Sequence, residues 1–240
     1  MSGKSDEKLL IDGKRIDGRK PDQARAITMR LDAVSNANGS AEVSFGKTTA
    51  VAAVYGPRAL FPRFLQESDT GILRTRYNMA PFSVNDRKSP GPDRRSNEIS
   101  KVTRLSLVPA VFLQDFPKAT IDTFVEILEA DGSTRVTGIN AASLAMAAAG
   151  VPMRDLVAAC SVGKIDDTLV IDLNGKEDNN SVADMAVAML PSKGVITLMQ
   201  MDGALTKEEI LKLLDMAKET CEKIYELQKK TLKEHYKVDE

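Results

Sequence analysis

The sequence predicts an α+β protein. Three observations support this: short runs rich in β-branched residues near the start, an alanine-rich segment with the composition of a helix, and a capped amphipathic segment at the end. Strand-like runs followed by a helix occur twice along the 240 residues, which indicates a duplicated unit. With 42% hydrophobic residues, the chain is long enough to bury a substantial core.

Charge and composition exclude several classes of protein. The net charge is −1, so no global basic field attracts nucleic acid or an anionic membrane, and any polyanion site must be local. The opening MSGKSDEKLLIDGK has no apolar signal-peptide core, and no segment reaches about 18 uninterrupted apolar residues. We therefore expect a cytoplasmic protein without a membrane partner. Cys160 and Cys221 lie far apart in sequence and are expected to be structural thiols.

The first elements are an arm and a set of strands. Residues 1–20 are polar and charged, and predict an ordered arm rather than a core element. Residues 27–54 contain ITMRLDAV, SAEVSF and TTAVAAVYG, which predict antiparallel strands joined by tight turns. The GKT at 46–48 resembles the end of a P-loop, but Ala41 stands where that motif needs glycine, and a strand follows instead of a helix.

A loop-rich, basic region comes next. Residues 56–95 predict long loops around one strand, ILRTRYNMAPF. Ser96 is the predicted N-cap of a helix that Pro109 should kink or end. Residues 58–104 contain ten Lys and Arg but only five Asp and Glu. This nearly neutral protein therefore has a local excess of positive charge in one region. Arg94 and Arg95 could bind successive backbone phosphates, and the alternative is a solvated loop surface.

The second half repeats the strand and helix signals. TIDTFVEILEAD predicts a strand, and GINAASLAMAAAG predicts a helix whose small side chains allow close burial. Four further strands are predicted from DLVAACSVGKI, DTLVIDL, VADMAVAML and GVITLMQMDG. The capping box TKEE at 206–209 opens a final amphipathic helix.

The segment DGSTR, just before the alanine-rich helix, is a candidate anion site. Its glycine permits close backbone approach, while hydroxyls, the N–H groups of a helix start and a guanidinium can bind phosphate. The residues concerned are Ser133, Thr134 and Arg135. The alternative is an ordinary helix N-cap.

Two carboxylates are the candidate catalytic groups. GKEDNNS is predicted to be a polar connection between two strands, with Asp178 near the turn and Asp184 inside the second strand, on the face of Ala186 and Ala188. Converging carboxylates could hold a divalent metal or provide a general acid. The alternative is a turn residue and a paired strand-edge charge. The single histidine, His235, excludes histidine-based triads and HExxH zinc sites.

Six segments, taken in order, resemble the RNase PH family of phosphorolytic 3′-to-5′ exoribonucleases, and within it the catalytic ring subunits of archaeal exosomes. They are RIDGRKPDQAR, SAEVSFGKTTAVAAVYGPR, RRSNEISKVTRLSL, ADGSTRVTGINAASLAMAAAGVPMRDLVAA, KEDNNSVADMAVAML and GVITLMQMDGALT. The resemblance implies a duplicated ribosomal protein S5 domain 2-like fold of RNase PH type. It implies an arm at 1–20 and a catalytic domain at 21–240, in two related halves that meet near residue 150.

The resemblance also implies roles for the candidate residues. Asp178 and Asp184 would hold a divalent metal, Mg²⁺ or alternatively Mn²⁺, and assist departure of the RNA 3′ oxygen. Inorganic phosphate, the co-substrate, would bind at the start of the alanine-rich helix, and RNA at arginines of the basic region. The residues implied are Ser133, Thr134 and Arg135 for phosphate, and Arg94, Arg95 and Arg63 for RNA.

The implied partners are single-stranded RNA, an inactive paralogous subunit in a three-plus-three hexameric ring, and cap subunits with S1, KH or zinc-ribbon modules. The charged arm KSDEKLLIDGK favours an exosome subunit, and the complete set of carboxylates and arginines favours the catalytic one. Such an enzyme releases nucleoside 5′-diphosphates and can run in reverse to extend RNA 3′ ends. The alternatives are a homohexameric tRNA 3′-trimming phosphorylase and a non-catalytic RNA-binding ring subunit.

Overall fold

The computed structural model describes residues 8–11, 13–86 and 88–237. Within these ranges the chain forms two large sheets, a short two-stranded ribbon and four α-helices, which confirms the predicted α+β class. Arg87 of the basic region and the first seven residues of the arm lie outside the described residues. None of the described helices combines the length and the apolar character needed to cross a membrane.

The first half is built on a five-stranded sheet. After the ribbon of β1 (Leu10–Ile11) and β2 (Lys14–Arg15), its strands are β3 (Ile27–Leu31), β4 (Gly39–Phe45), β5 (Thr48–Ala59), β6 (Ile72–Met79) and β7 (Ala119–Glu129). They lie in the order β3-β4-β5-β7-β6. The first three are antiparallel neighbours, as predicted, whereas β6 runs parallel to β7 because a helix crosses over between them.

The second half is built on a four-stranded antiparallel sheet. Its strands are β8 (Ala158–Ile165), β9 (Thr168–Ile171), β10 (Ala183–Leu190) and β11 (Val195–Gly203), in the order β11-β10-β8-β9. The α-helices among the described residues are α1 (Arg94–Leu107), α2 (Thr134–Ala148), α3 (Gly175–Asn180) and α4 (Lys207–His235).

The alanine-rich helix α2 lies at the centre of the core. It packs against β4 and β5 of the first sheet and against β8 and β10 of the second, and every residue from Val136 to Met146 is buried. Small side chains make this possible, because they let two sheets approach one helix closely. The apolar core is therefore continuous across both halves of the chain.

Helix α1 begins earlier than predicted. Its N-cap is Asp93, whose carboxylate accepts the Ser96 N–H at 2.6 Å, while the Ser96 hydroxyl oxygen accepts the Asp93 N–H at 2.8 Å. Ser96 is thus the third residue of the helix rather than its cap. Arg94 and Arg95 consequently form the first turn. The helix ends at Leu107, before Pro109, as predicted.

The connection GKEDNNS is a short helix, α3, and not the predicted turn. Asn174 and Glu177 form a capping box: the Glu177 N–H donates to Asn174 at 3.0 Å, and the Asn174 N–H donates to Glu177 at 2.9 Å. Six residues span less than two turns, too few for a helical period to show in the sequence. The Asn-x-x-Glu spacing was the available signal.

The inner part of the arm is packed into the fold. Leu9 is buried in a small apolar cluster with Ile165, Val170 and Leu173, and Arg15 is buried as well. The sequence predicted an arm outside the core, because polar and charged residues surround these two positions. Buried arginine is rare without paired carboxylates, so this burial requires a partner.

Two predictions for the C-terminal part are confirmed. The capping box at 206–209 is formed, with the Thr206 N–H donating to the Glu209 carboxylate at 2.8 Å. Cys160 and Cys221 are free and buried, and their sulfur atoms lie 3.6 Å apart between β8 and α4. The contact with Cys221 and burial both raise the pKa of the Cys160 thiol, which fits a structural role.

Candidate active site

One cavity of about 500 Å³ lies where α1, α2, α3 and the second sheet meet. Its lining combines residues from both halves of the chain and is mostly polar. The lining residues are Arg95, Glu98, Ser133, Thr134, Arg135, Val136, Ser161, Asp178, Asn179, Asp184, Ala186, Gln200, Met201 and Asp202.

The cavity contains six of the eight candidate residues. Both aspartates, the three residues of the helix start and Arg95 line it. Arg94 is exposed on the same helical turn but is not part of the lining. Arg63 is exposed in a separate 3₁₀ turn, Arg63–Leu65, beside the exposed rings of Phe61 and Phe64. Six candidate residues therefore share the cavity, whereas Arg94 and Arg63 lie on the surface outside it.

The two aspartates come from adjacent elements. Asp178 lies on α3, and Asp184 lies near the start of β10, followed on the same face by Ala186. Burial raises the pKa of Asp178, although the charges of Arg95 and Arg135 oppose this. Burial also raises the pKa of Asp184, and the negative charge of Asp178 raises it further. Such paired, perturbed carboxyls in a cavity are characteristic of catalytic sites.

A third carboxylate, Asp202, was missed by the sequence reasoning. It lies on β11 directly opposite Asp184 in the antiparallel register, and its charge also raises the pKa of Asp184. Like charges placed opposite each other destabilise a sheet, which points to a functional reason for the arrangement. Gln200, two residues earlier, lines the same cavity. The polar residues at every second position of GVITLMQMDG could therefore have identified Asp202 and Gln200 as neighbours on one face of the strand.

The start of α2 is shaped to receive an anion. Gly132 and Ser133 both have left-handed backbones, with φ of 74° and 57°. The Ser133 side chain does not cap the helix: its hydroxyl donates to the Leu173 carbonyl at 2.8 Å and lies 2.7 Å from the Ser161 hydroxyl. The N–H groups of the first turn are thus left for another acceptor, and Ser133 contributes its backbone more than its hydroxyl.

Two side chains support residues 131–133, the anion loop, from behind. The Thr48 hydroxyl, in the segment that resembles a P-loop, donates to the Gly132 carbonyl at 2.8 Å and accepts the Asp131 N–H at 2.9 Å. The Arg25 guanidinium donates to the Asp131 carbonyl at 2.6 Å. Thr48 therefore has a structural role in positioning the anion loop.

Arg135 carries a donor suited to a bound anion. Its side chain is only 18% exposed, its Nη2 lies 3.9 Å from the Glu98 carboxylate, and its buried Nε has no partner among the described residues. A buried donor left without a partner is normally satisfied by water or a ligand. Glu98 also accepts a hydrogen bond from Gln200 Nε2 at 2.7 Å, which joins α1 to β11 across the cavity.

Comparison with known proteins places the chain in a class. Models of the 3′ exoribonuclease family match it over residues 23–152 (domain 1) and 155–220 (domain 2). The chain belongs to the 3′ exoribonuclease family, known as RNase PH, which confirms the resemblance found in the sequence. Two solved structures share the fold at low sequence identity.

These are a rice (Oryza sativa) Rrp46 (TM-score 0.81, 21% identity, 91% of this chain and 100% of that chain) and an Archaeoglobus fulgidus exosome with RNA bound to the active site (TM-score 0.78, 22% identity, 90% and 92%).

The similar sequences carry a more particular name. Proteins named exosome complex component Rrp41 from Pyrococcus furiosus and Thermococcus kodakarensis are both 56% identical to this chain. The matches cover 95% and 98% of this chain and 92% and 96% of those proteins. The protein of that name from Methanopyrus kandleri is 48% identical over 100% of both chains.

Proposed function

We propose that the chain is a phosphate-dependent 3′-to-5′ exoribonuclease, the catalytic subunit of an exosome, which releases nucleoside 5′-diphosphates from single-stranded RNA. The observation that carries this proposal is the cavity in which Asp178 and Asp184 share one space with the start of α2 and Arg95. The relatives named exosome complex component Rrp41 support it through their identity over nearly the whole chain. Residues 21–240 would form the catalytic unit, in two halves meeting near residue 150, with 1–20 as the arm.

The chemistry follows from the residues of the cavity. Phosphate held by Arg135 and the first-turn N–H groups of α2 attacks the last internucleotide phosphorus, and the bond from phosphorus to the RNA 3′ oxygen breaks. That oxygen takes a proton, and a nucleoside 5′-diphosphate leaves. Arg95 and Arg135 offset charge on the nonbridging oxygens. Burial raises the pKa of Asp178 and of Asp184, which is the direction that a general acid for the leaving 3′ oxygen requires.

A phosphoanhydride replaces a phosphodiester in this exchange, so the reaction is close to thermoneutral. Excess nucleoside diphosphate should therefore reverse it and extend RNA 3′ ends.

The carboxylates also fit a divalent cation. Mg²⁺ takes oxygen ligands, commonly one or two carboxylates together with substrate phosphates and water, and Mn²⁺ accepts a similar set. Asp178 and Asp184 would hold it. The described residues contain no group of three or more His, Cys, Asp or Glu side chains arranged for a metal, so substrate oxygens would complete the coordination. When bound, the cation would stabilise negative charge on the phosphoryl oxygens.

The proposal includes partners. The chain would alternate with an inactive paralogous subunit in a three-plus-three hexameric ring in the cytoplasm, capped by subunits with S1, KH or zinc-ribbon modules. In support, edge strand β11 exposes apolar side chains, with Val195, Ile196, Met199 and Met201 each between 40% and 53% exposed. Exposed apolar patches of this kind mark interaction surfaces. A homohexameric tRNA-trimming enzyme is the alternative, distinguished by whether this chain forms an active ring alone.

Identifying the released nucleotide tests this proposal. Complexes purified from native cells through this subunit receive a single-stranded RNA and magnesium, with and without inorganic phosphate, and the released nucleotides are identified. Phosphate-dependent nucleoside diphosphates are the expected result. Monophosphates released without phosphate would mean hydrolysis, and the absence of any release would indicate a binding or structural subunit; either outcome would overturn the proposal.

A variant then assigns the activity to this chain. Asp184→Asn should abolish turnover while RNA binding survives, because the amide keeps the shape of the cavity but loses the charge. The matched control is Asp167→Asn in the β8–β9 turn, whose side chain is fully exposed, and which should keep wild-type activity. Unchanged degradation by the Asp184 variant would place catalysis in another subunit.

A further inference from the structure

Helix α3 is too short to hold its own position. It has six residues, and an isolated helix of that length is unstable in water. Its first turn is fixed by the capping box between Asn174 and Glu177, and the Glu177 side chain is completely buried. A buried carboxylate is stable only when paired with a cation and hydrogen-bonded. The position of Asp178, the next residue, therefore depends on what pairs with Glu177.

The partner is Arg15, from β2 in the N-terminal segment. Its Nε donates to Glu177 Oε1 at 2.7 Å and its Nη2 donates to Oε2, so the two groups form a bidentate pair with no exposed side-chain surface. The same guanidinium donates to the carbonyls of Ile171 at 2.6 Å and Asp172 at 2.8 Å. Arg15 thus fixes both the cap of α3 and the end of the strand that leads into it.

Neighbouring residues of the segment RIDGRKPDQAR complete this support. The Asp17 carboxylate accepts a hydrogen bond from Asn174 Nδ2 at 3.1 Å, and Arg19 donates to the Asp172 carbonyl at 3.0 Å. Arg25 binds the Asp172 carboxylate at 2.6 Å. The segment therefore lies behind the cavity, as a layer of charged groups that contacts the base of α3.

We propose that Arg15 is a positioning residue for Asp178, acting through Glu177. Without the guanidinium, the Glu177 carboxylate would lose its bidentate partner and would keep Arg19 Nη2, which lies 3.6 Å away and is already paired with Asp17 at 2.7 Å. The carboxylate would then move toward water, which would open the capping box and shift α3. This inference rests on the proposed function only through the role of Asp178. Because Arg95 lies on α1, RNA binding should change little while turnover falls.

The experiment uses the assembled complex and two substitutions. Arg15→Gln removes the charge, and Arg15→Gln with Glu177→Gln removes both charges while an amide oxygen keeps the cap acceptor. In the single variant, kcat should fall on the order of 100-fold, as small misplacements of catalytic groups do. The Kd for RNA should change less than about threefold. The double variant should recover part of the lost kcat, because no charge is then left unpaired.

Hydrogen exchange provides a readout that does not depend on activity. Amides of residues 174–180 should exchange faster in Arg15→Gln and return toward the wild-type rate in the double variant. The control is Gln228→Leu on α4, which removes buried hydrogen bonds to Val157 and Asn140, neither of them a residue of α3. It should lower the Tm without changing kcat or exchange in α3. If Arg15→Gln does not assemble, Arg15→Lys keeps the charge, loses the bidentate contact and should show an intermediate kcat.

Three results would overturn the inference. These are a wild-type kcat in Arg15→Gln, a fall in kcat no larger than that of Gln228→Leu at equal loss of Tm, and a double variant no better than the single one. A wild-type complex that releases no diphosphates would instead refute the proposed function. The exchange measurement would still report whether Arg15 holds α3.

Discussion

Replacing Gly132 with alanine tests how closely the anion loop approaches α3. Gly132 has φ of 74°, and a Cβ built on it would lie 2.6 Å from the carbonyl carbon of Asn174, 2.7 Å from the Leu173 oxygen and 2.8 Å from the Gly175 nitrogen. All three are backbone atoms, which cannot rotate away as a side chain could. The alanine must therefore push the loop and the start of α3 apart.

The expected loss of stability in Gly132→Ala has two contributions. A left-handed backbone costs a non-glycine residue about 1–2 kcal/mol, and forcing extra atoms into a packed site costs about 1–3 kcal/mol. Gly132→Ala should therefore reduce the free energy of unfolding by about 2–5 kcal/mol. Gly150→Ala is the matched control: its φ is 72°, nothing lies within 4 Å of its added Cβ, and only the first part applies.

The assay combines urea unfolding with phosphate kinetics. Gly132→Ala should lose about 1–3 kcal/mol more free energy of unfolding than Gly150→Ala. It should also raise the KM for phosphate at least about tenfold, because the displaced loop holds the anion less well; a tenfold change corresponds to about 1.4 kcal/mol of lost binding. Gly150→Ala should leave that KM unchanged. Equal losses of stability would refute the close approach of loop and helix. A normal KM in a destabilised Gly132 variant would show that phosphate does not bind at this loop.

Two further predictions concern α1. Replacing Arg94 and Arg95 with alanine should weaken RNA binding and flatten the plot of log affinity against log salt by about 1.4, or about 0.7 per lost phosphate contact. Filter binding at several salt concentrations measures this slope. An unchanged slope would show that neither arginine contacts the RNA phosphates. Hydrogen bonds from Ser96 lower the pKa of Asp93 to about 2. Its capping contribution is therefore fully present above its ordinary pKa and is lost as the pH falls from that pKa through about 2. Asp93→Ala should therefore cost about 1 kcal/mol in urea unfolding at neutral pH and progressively less in acid, and a cost independent of pH would contradict this account.

Local patterns in the sequence were sufficient for most elements. Alternation predicted β10 and the face of Asp184, composition predicted the buried helix α2, and the TKEE box predicted the start of α4. One error occurs where two local signals compete. Ser96 and Asp93 are both good N-caps, and the reciprocal bonds between them, visible only in three dimensions, make Asp93 the cap.

Some residues of the candidate site could likewise be predicted from the sequence, and others could not. The DGSTR segment and the two aspartates could be selected from residue type and spacing, yet Asp202 and Gln200 became part of the site only through the register of β11 against β10. The separation of Arg95 from Arg94 depends on which side of α1 faces the cavity. A sequence pattern gives the direction of a side chain relative to its own element, but not the neighbouring element that it meets.

The sequence by itself therefore determined the α+β class, the order of the longer strands and of the helices α1, α2 and α4, and the family, because these depend on local preferences and on motifs that occur in continuous segments of the chain. The tertiary structure alone decided that Ser133 turns its hydroxyl inward and that Arg15 is buried against Glu177, 162 residues away. The physical reason is that a buried charge is stable only beside its partner, and no local pattern records a partner brought close by folding.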